Sequence, residues 1–158
     1  VNQAVVDAFG ERVRAADGSI NRQVLGEIVF NDAQARQRLN SLVHPAVVAY
    51  QKSWLDEVER QDPSGIGIVD AALMVEIGTY KNYDQLIVVI CPPEVQRERL
   101  KNRSGLSSEQ IEARIRAQMP MDEKARYASH IIDNSGALEE TRRQVEHVFA
   151  QLRQTRQG

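Results

Sequence analysis

The chain has 158 residues, enough for one domain with its own core and too few to predict two independent ones. Apolar residues make up 42% and charged residues 27% of it, a balance that excludes a disordered or collagen-like chain. The formal net charge of -2 creates no field that would attract nucleic acid or an anionic membrane, so we expect neither as a partner. A single cysteine, Cys91, excludes an intrachain disulfide framework and favours the cytoplasm.

The amino-terminal part of the chain carries helical patterns separated by turn residues. Apolar residues at helical spacing predict a helix over 1–9, with Gly10 at its end. Asn21 is of a type that caps helices, so a second helix is expected to begin there. Pro45 suits a first turn and predicts a break before a longer helix. We therefore predict a helical arm over 1–62.

Three short apolar runs, 66–70, 86–90 and 131–132, predict buried strands. The second run is rich in β-branched residues and is followed by two prolines, as is typical of a central parallel strand. Helical patterns separate the runs, so the sequence predicts an α/β fold with a parallel sheet and right-handed crossovers. The last helix is expected over 137–154, with Leu138 and its other large apolar residues buried.

The segment between the second and third predicted strands is rich in arginine, and Ser107 with Gln110 has the spacing of a capping box. Arginine binds phosphate oxygens in a planar, bidentate manner, so a flap closing with arginines inward would neutralise charge during phosphoryl transfer and exclude water. Charged residues on such helices also simply solvate an exposed face, and composition alone favours that explanation. The arginines concerned are Arg97, Arg99, Arg103, Arg114 and Arg116.

Polar residues follow two of the predicted strands. Asp70 and Glu76 could border a crevice at the carboxyl ends of the strands, although Asp70 could equally cap the next turn. The loop 133–136 could border an adenine ring, although Asn134 or Ser135 could also cap a helix. One cysteine and 3 scattered histidines have no metal-ligand spacing, so we assign no metal ligand in this chain.

Several short motifs stand in a distinctive order along the chain. They are Asp17-Gly18-Ser19-Ile20-Asn21-Arg22, Leu25-Gly26 with Ile28-Val29-Phe30, His44-Pro45, Asp70 to Glu76, Gln96 to Arg103, Arg114 to Pro120 with Lys124, and Ile132 to Gly136. Together they resemble the bacterial dephospho-CoA kinases over nearly the whole chain. The resemblance implies a P-loop kinase-like parallel sheet flanked by helices, with its first strand or strands missing. The arm over 1–62 would bind the acceptor, 63–96 and 126–158 would form the core, and 97–125 the lid.

The resemblance also implies a reaction, the transfer of the γ-phosphate of ATP to the 3'-hydroxyl of dephospho-CoA, with Mg²⁺ accompanying ATP. Carried over by motif, the residues that would line the dephospho-CoA side are His44, Leu73, Glu76, Gln118 and Lys124. The phosphate-facing arginines of the lid would be Arg99, Arg103 and Arg114. The residues near the adenine of ATP would be Asn134 and Gly136.

One motif of such kinases does not occur among the 158 residues: the loop G-x-x-x-x-G-K-S/T, whose amides cradle phosphates and whose hydroxyl binds magnesium. The catalytic aspartate that follows it in the family has no counterpart either. We therefore expect an amino-terminal segment to precede Val1 in the parent protein, and the chain alone to be inactive. The alternative is a non-catalytic CoA-binding or regulatory module. A nucleoside monophosphate kinase with another acceptor fits His44-Pro45 less well.

Overall fold

The computed structural model describes residues 1–155, without the side chains of Asn31, Ser104 and Thr155. The chain divides into two compact units, the first Val1–Val69 and the second beginning at Asp70. The finer division into arm, core and lid stays a prediction. In the described part, no helix combines the length and the apolar character needed to cross a membrane.

The first unit is helical, as the sequence predicts. Its elements are α1 (Asn2–Phe9), a 3-10 turn (Glu11–Val13), α2 (Arg22–Asn31) and α3 (Ala33–Gln61). Its core consists of the buried aliphatic side chains Val5, Val6, Val13, Leu25 and Val29. Burying one such side chain contributes about 1.5–3 kcal/mol, so this small cluster is what holds the unit together.

Side-chain caps begin both longer helices of the first unit. The Oδ1 atom of Asn21 accepts a hydrogen bond from the N–H of Val24 at 3.2 Å, which confirms the predicted start of α2. Asp32 does the same for α3, where its Oδ1 atom accepts from Gln34 at 2.8 Å and Ala35 at 3.1 Å. Each carboxylate or amide oxygen satisfies backbone donors that have no partner within the helix.

Two predictions for the first unit are wrong. Helix α3 runs through Pro45 without ending, because its start is set by the Asp32 cap. An interior proline costs one backbone hydrogen bond, about 3 kcal/mol with its steric clash, and the long helix on either side of it tolerates that loss. The apolar run 66–70 is not a strand either, since strands occur in the described residues only at Ile87–Ile90 and His130–Asp133. An apolar run becomes a strand only where another strand pairs with its backbone.

The second unit is built on a short parallel sheet. Its elements are a 3-10 turn (Thr79–Asn82), β1 (Ile87–Ile90), α4 (Pro93–Ser104), α5 (Ser108–Arg116), α6 (Met121–Ala125), β2 (His130–Asp133) and α7 (Leu138–Thr155). Strands β1 and β2 pair in parallel, with Ile87 opposite His130 and Ile90 opposite Asp133. Both strands lie where the sequence predicts them. The helices between them form the crossover that a parallel pair requires.

Several apolar side chains of α7 and of β1 are less buried than the sequence predicts. Val148 of α7 is 6% exposed, whereas Leu138 is 74% exposed and Val145 and Phe149 are each 46% exposed, so the predicted burial of these three residues is wrong. On the sheet, Val88 is buried and its neighbour Val89 is 51% exposed. A sheet of two four-residue strands covers less area than the apolar stripe of an 18-residue helix.

Candidate functional site

A group of polar contacts joins the turns that precede β1 to the connection between α5 and α6. The Nζ atom of Lys124 donates to the carbonyl oxygen of Ala72 at 2.8 Å and to Oε1 of Gln118 at 3.2 Å. It also forms an ion pair with Oε1 of Glu76 at 2.8 Å. The same Glu76 oxygen accepts from the N–H of Met119 at 3.0 Å. We call Ala72, Glu76, Gln118, Met119 and Lys124 the Lys124 cluster.

The two charged side chains of the cluster are largely shielded from solvent. The side chain of Lys124 is 12% exposed and that of Glu76 is 20% exposed. Burial raises the pKa of Glu76, but the hydrogen bonds from Lys124 and Met119 and the positive charge of Lys124 outweigh it, so the pKa lies below its usual value. Glu76 is therefore ionised at neutral pH. Its second oxygen, Oε2, is buried and has no hydrogen-bond partner among the described residues.

Local structure brings Glu76 to this position. Residues 72–78 form consecutive turns, in which Ile77 donates to the carbonyl of Leu73 at 3.1 Å. The turns end at Gly78, whose φ of 74° lies in the left-handed region that glycine adopts at low cost. The buried Met74 anchors the segment in the core, while Leu73 is partly buried. The Glu76 carboxylate is therefore presented by the turns at 72–78. The segment 66–70, for which the sequence predicts a strand, forms none.

The end of α5 explains why Met119 donates to Glu76. The N–H groups of Ala117 and Gln118 still bond to helix carbonyls, at 3.1 and 3.2 Å respectively. Pro120 then begins α6, and its carbonyl accepts from the N–H of Lys124 at 3.0 Å. The N–H of Met119 lies between the two helices and needs an acceptor outside them, which Glu76 supplies.

A second polar group lies at the carboxyl end of β2. Arg99 of α4 donates from Nη1 to the carbonyl oxygen of Asn134 at 2.7 Å. The hydroxyl of Thr141 in α7 donates to Oδ1 of Asn134 at 3.3 Å. The N–H of Asn134 donates to the carbonyl of Ile90 at 2.8 Å and so extends the pairing of the two strands. Asn134 is therefore held at its backbone and at its side chain.

The neighbouring Asp133 is also fixed. Gln144 of α7 accepts from the N–H of Asp133 at 2.8 Å and donates to its carbonyl at 2.9 Å, the two groups that another strand would use. Hydrogen bonds from the hydroxyl and the N–H of Ser135 lower the pKa of the Asp133 carboxyl. Gly136 is exposed, and no heavy atom beyond the glycine and its two chain neighbours lies within 4 Å of where its Cβ would be. The loop thus combines a fixed start with an open end.

The arginines of the predicted lid lie in different surroundings. Arg97 of α4 and Glu112 of α5 form an ion pair with Nε and Oε1 at 2.5 Å, which joins the two helices. Arg99 contacts the loop after β2, whereas Arg103 and Arg114 are exposed. The predicted capping box at the start of α5 is present and confirmed, with Ser107 and Gln110 bonded to each other's backbone.

His44 belongs to the first unit, where it lies on α3 and is partly buried. The same unit has an open groove of about 220 Å³. The groove is lined by Tyr50, Gln51, Trp54, Ile68 and Val69.

Sequence reasoning named Glu76, Gln118 and Lys124, and the structure brings these three together. It missed the carbonyl of Ala72 and the N–H of Met119, because backbone groups are the same at every residue and leave no signal in the sequence. It also missed Gln144 and Thr141, which look like ordinary polar residues on the outer side of α7. Only their spacing from the preceding loop could have suggested them.

Parallel strands joined by helices form an α/β fold, in which ligands bind at the carboxyl ends of the strands, and arginines on such helices suit phosphate oxygens. Fold and site together place this chain in that α/β class. The family model described as dephospho-CoA kinase matches residues 1–140. The chain belongs to the dephospho-CoA kinase family, and its class of activity is that of an ATP-dependent phosphotransferase of coenzyme A biosynthesis.

Individual relatives agree with the family model. A dephospho-CoA kinase of Aquifex aeolicus is 41% identical over 153 residues, which are 96% of this chain and 76% of that protein. One of Geobacter metallireducens is 42% identical over 144 residues, 91% of this chain and 71% of its own. The solved dephospho-CoA kinase from Campylobacter jejuni has a TM-score of 0.65 at 27% identity, over 96% of this chain and 75% of that one. The predicted family and fold class are thereby confirmed.

Proposed function

We propose that this chain supplies the acceptor-binding and lid parts of a kinase that moves the γ-phosphate of ATP to the 3'-hydroxyl of dephospho-CoA. The observation that carries the proposal is the contact among Glu76, Gln118 and Lys124. Glu76 is far in sequence from Gln118 and Lys124, and the acceptor-side prediction named all three. The proposed acceptor side comprises His44, Leu73, Glu76, Gln118 and Lys124.

The nucleotide side of the proposal rests on the loop after β2 and on the arginines. Asn134 and Gly136 border the adenine in this proposal, supported by the fixed backbone of Asn134 and the open space around Gly136. Arg99, Arg103 and Arg114 face the phosphates, where guanidinium groups stabilise the charge that spreads over the transferring phosphoryl group. Arg103 and Arg114 are exposed, which supports their access to a nucleotide.

Mg²⁺ accompanies ATP in this proposal and would screen the phosphate charge. The part of the chain that the structure describes contains no group of three His, Cys, Asp or Glu residues able to hold a metal ion. The proposal therefore assigns Mg²⁺ no ligand in this chain. The partners are ATP and dephospho-CoA, and the single Cys91 supports a cytoplasmic location.

We expect different results for dephospho-CoA binding and for dephospho-CoA phosphorylation by this chain. None of its 158 residues forms a G-x-x-x-x-G-K-S/T loop, so the cradle for the β- and γ-phosphates of ATP is not encoded in it. We expect the chain alone to bind dephospho-CoA without phosphorylating it. Calorimetric titration with dephospho-CoA measures the first property, and a coupled ADP-release assay with ATP, Mg²⁺ and dephospho-CoA measures the second.

Replacing His44 tests the acceptor side directly. We expect His44→Ala to weaken dephospho-CoA binding about tenfold, the effect of losing one hydrogen bond to a charged group. The matched control is His147→Ala, which removes an exposed histidine of α7. Failure of the unsubstituted chain to bind dephospho-CoA would refute the acceptor assignment. Magnesium-dependent release of ADP would refute the predicted inactivity.

A further inference from the structure

Three oxygen atoms of the protein surround the ammonium group of Lys124. An ammonium group has three N–H donors and no acceptor. The carbonyl of Ala72, Oε1 of Gln118 and Oε1 of Glu76 all lie 2.8 to 3.2 Å from its Nζ atom. One acceptor is thus available for each donor, and the side chain is only 12% exposed.

These contacts join two segments that are far apart in the sequence. Lys124 and Ala72 are separated by 52 positions, and Glu76 and Met119 by 43. Lys124 and Glu76 therefore hold the turns at 72–78 against the connection that leads from α5 to α6. Without Lys124, the Glu76 carboxylate would be a mostly buried charge with one backbone N–H as its remaining donor. It would then turn toward solvent and release Met119.

We propose that Lys124 is a positioning residue of the acceptor site. It acts through Glu76 and the connection between α5 and α6, and does not itself contact dephospho-CoA; this inference rests on the function proposed above. Contact with the acceptor would require Lys124 to give up one of its three internal acceptors. The groups of the cluster that have capacity left are the exposed Gln118 and the unpartnered Oε2 atom of Glu76.

A double-mutant cycle distinguishes positioning from contact. Dephospho-CoA binding is titrated for Lys124→Met, Glu76→Gln and the double variant of the 158-residue chain. If Lys124 acts through Glu76, Lys124→Met weakens binding about tenfold, and the double variant binds no more weakly than the weaker single variant. If both residues contact the acceptor separately, the two losses multiply, and that result overturns the proposal.

Hydrogen exchange provides a measurement that needs no ligand. Lys124→Met is expected to accelerate exchange of the Met119 amide about tenfold, because its acceptor Glu76 moves away. The amide of Asn134, bonded to Ile90 at 2.8 Å, reports the stability of the unit as a whole and should accelerate by a clearly smaller factor. Equal acceleration of both amides would overturn the proposal, as would an unchanged rate at Met119.

The control variant is Lys52→Met, which removes an exposed ion pair with Asp56 on α3. It should alter neither dephospho-CoA binding nor exchange at Met119. If the unsubstituted chain binds no dephospho-CoA, the proposed function fails, and the exchange rates at Met119 and Asn134 then decide by themselves whether Lys124 positions the connection between α5 and α6.

Discussion

Two of the ion pairs of the second unit have similar lengths but lie in very different surroundings. Lys124 and Glu76 lie 2.8 Å apart with side chains 12% and 20% exposed, whereas Arg97 and Glu112 lie 2.5 Å apart with side chains 46% and 34% exposed. The first pair also bonds to the backbone groups of Ala72 and Met119. Water screens the second pair and replaces its contacts when it opens. Burial and the additional hydrogen bonds, and not distance, therefore decide which pair organises the site.

The largest expected effect comes from removing one partner of the buried pair. Glu76→Ala leaves Lys124 as an uncompensated cation and Met119 without its acceptor. We expect it to lower the free energy of unfolding by about 2–3 kcal/mol, less than for a fully buried pair because part of Glu76 is exposed. Urea unfolding measures this loss, with hydrogen exchange of the Asn134 amide as the readout for the second unit.

Glu112→Ala is the matched variant of the exposed pair, and it should cost no more than about 1 kcal/mol. Equal losses for the two variants would mean that burial does not distinguish the two pairs. That result would remove the physical basis for treating the Lys124 cluster as preorganised.

The next effect is the dependence of stability on pH. Because the pKa of Glu76 is lowered in the folded chain, its carboxylate contributes stability above the pKa of the unfolded state, about 4.3, and loses it as the pH falls through the lower folded value. Protonated Glu76 resembles glutamine. The difference in unfolding free energy between the unsubstituted chain and Glu76→Gln should therefore be constant from about pH 7 to 5 and shrink below about pH 4.

Urea midpoints measured across this range check the expectation, with Glu146→Gln on the exposed side of α7 as the control. A difference that already changes between neutral pH and about pH 6 would indicate that a histidine, and not Glu76, is responsible.

The smallest expected effect concerns Arg99, which lies on the surface and contacts one carbonyl. Arg99→Met should lower the free energy of unfolding by at most about 1 kcal/mol, the contribution of a single hydrogen bond. The amide chemical shifts that this substitution changes most should be those of residues 133–136, because Arg99 donates a hydrogen bond to the carbonyl of Asn134. Arg103→Met, a change at an exposed position of the same helix, is the control. Changes confined to α4 would show that Arg99 does not hold the loop.

Much of the local structure could be predicted because its causes are local. Asn21 caps α2, and Ser107 with Gln110 forms a capping box, since each bonds backbone groups within three residues. The β-branched run before the two prolines became β1 for the same kind of reason. The predicted helix break at Pro45 is wrong, because α3 begins at the Asp32 cap and continues through the proline. A single proline does not end a helix that is stabilised on both sides of it.

The site could be predicted only in part. Residue types and their resemblance to a family named Glu76, Gln118 and Lys124, but not that a single oxygen of Glu76 binds both Lys124 and Met119. That arrangement depends on how the turns at 72–78 meet the end of α5, which is a property of packing. The contact of Arg99 with the carbonyl of Asn134 also depends on packing, because the residue types alone do not indicate which carbonyl an arginine will bind.

The sequence by itself determined most helix starts, the positions of the two parallel strands and the family, because hydrophobic period, caps and ordered motifs are local or cumulative signals that need no neighbours in space. Only the tertiary structure decided which charged residues are buried, which backbone groups they bond, and that Lys124 has three oxygen atoms of the protein around its ammonium group. The reason is physical: the energy of a charge depends on the solvent and the dipoles around it, and folding brings these from distant parts of the chain.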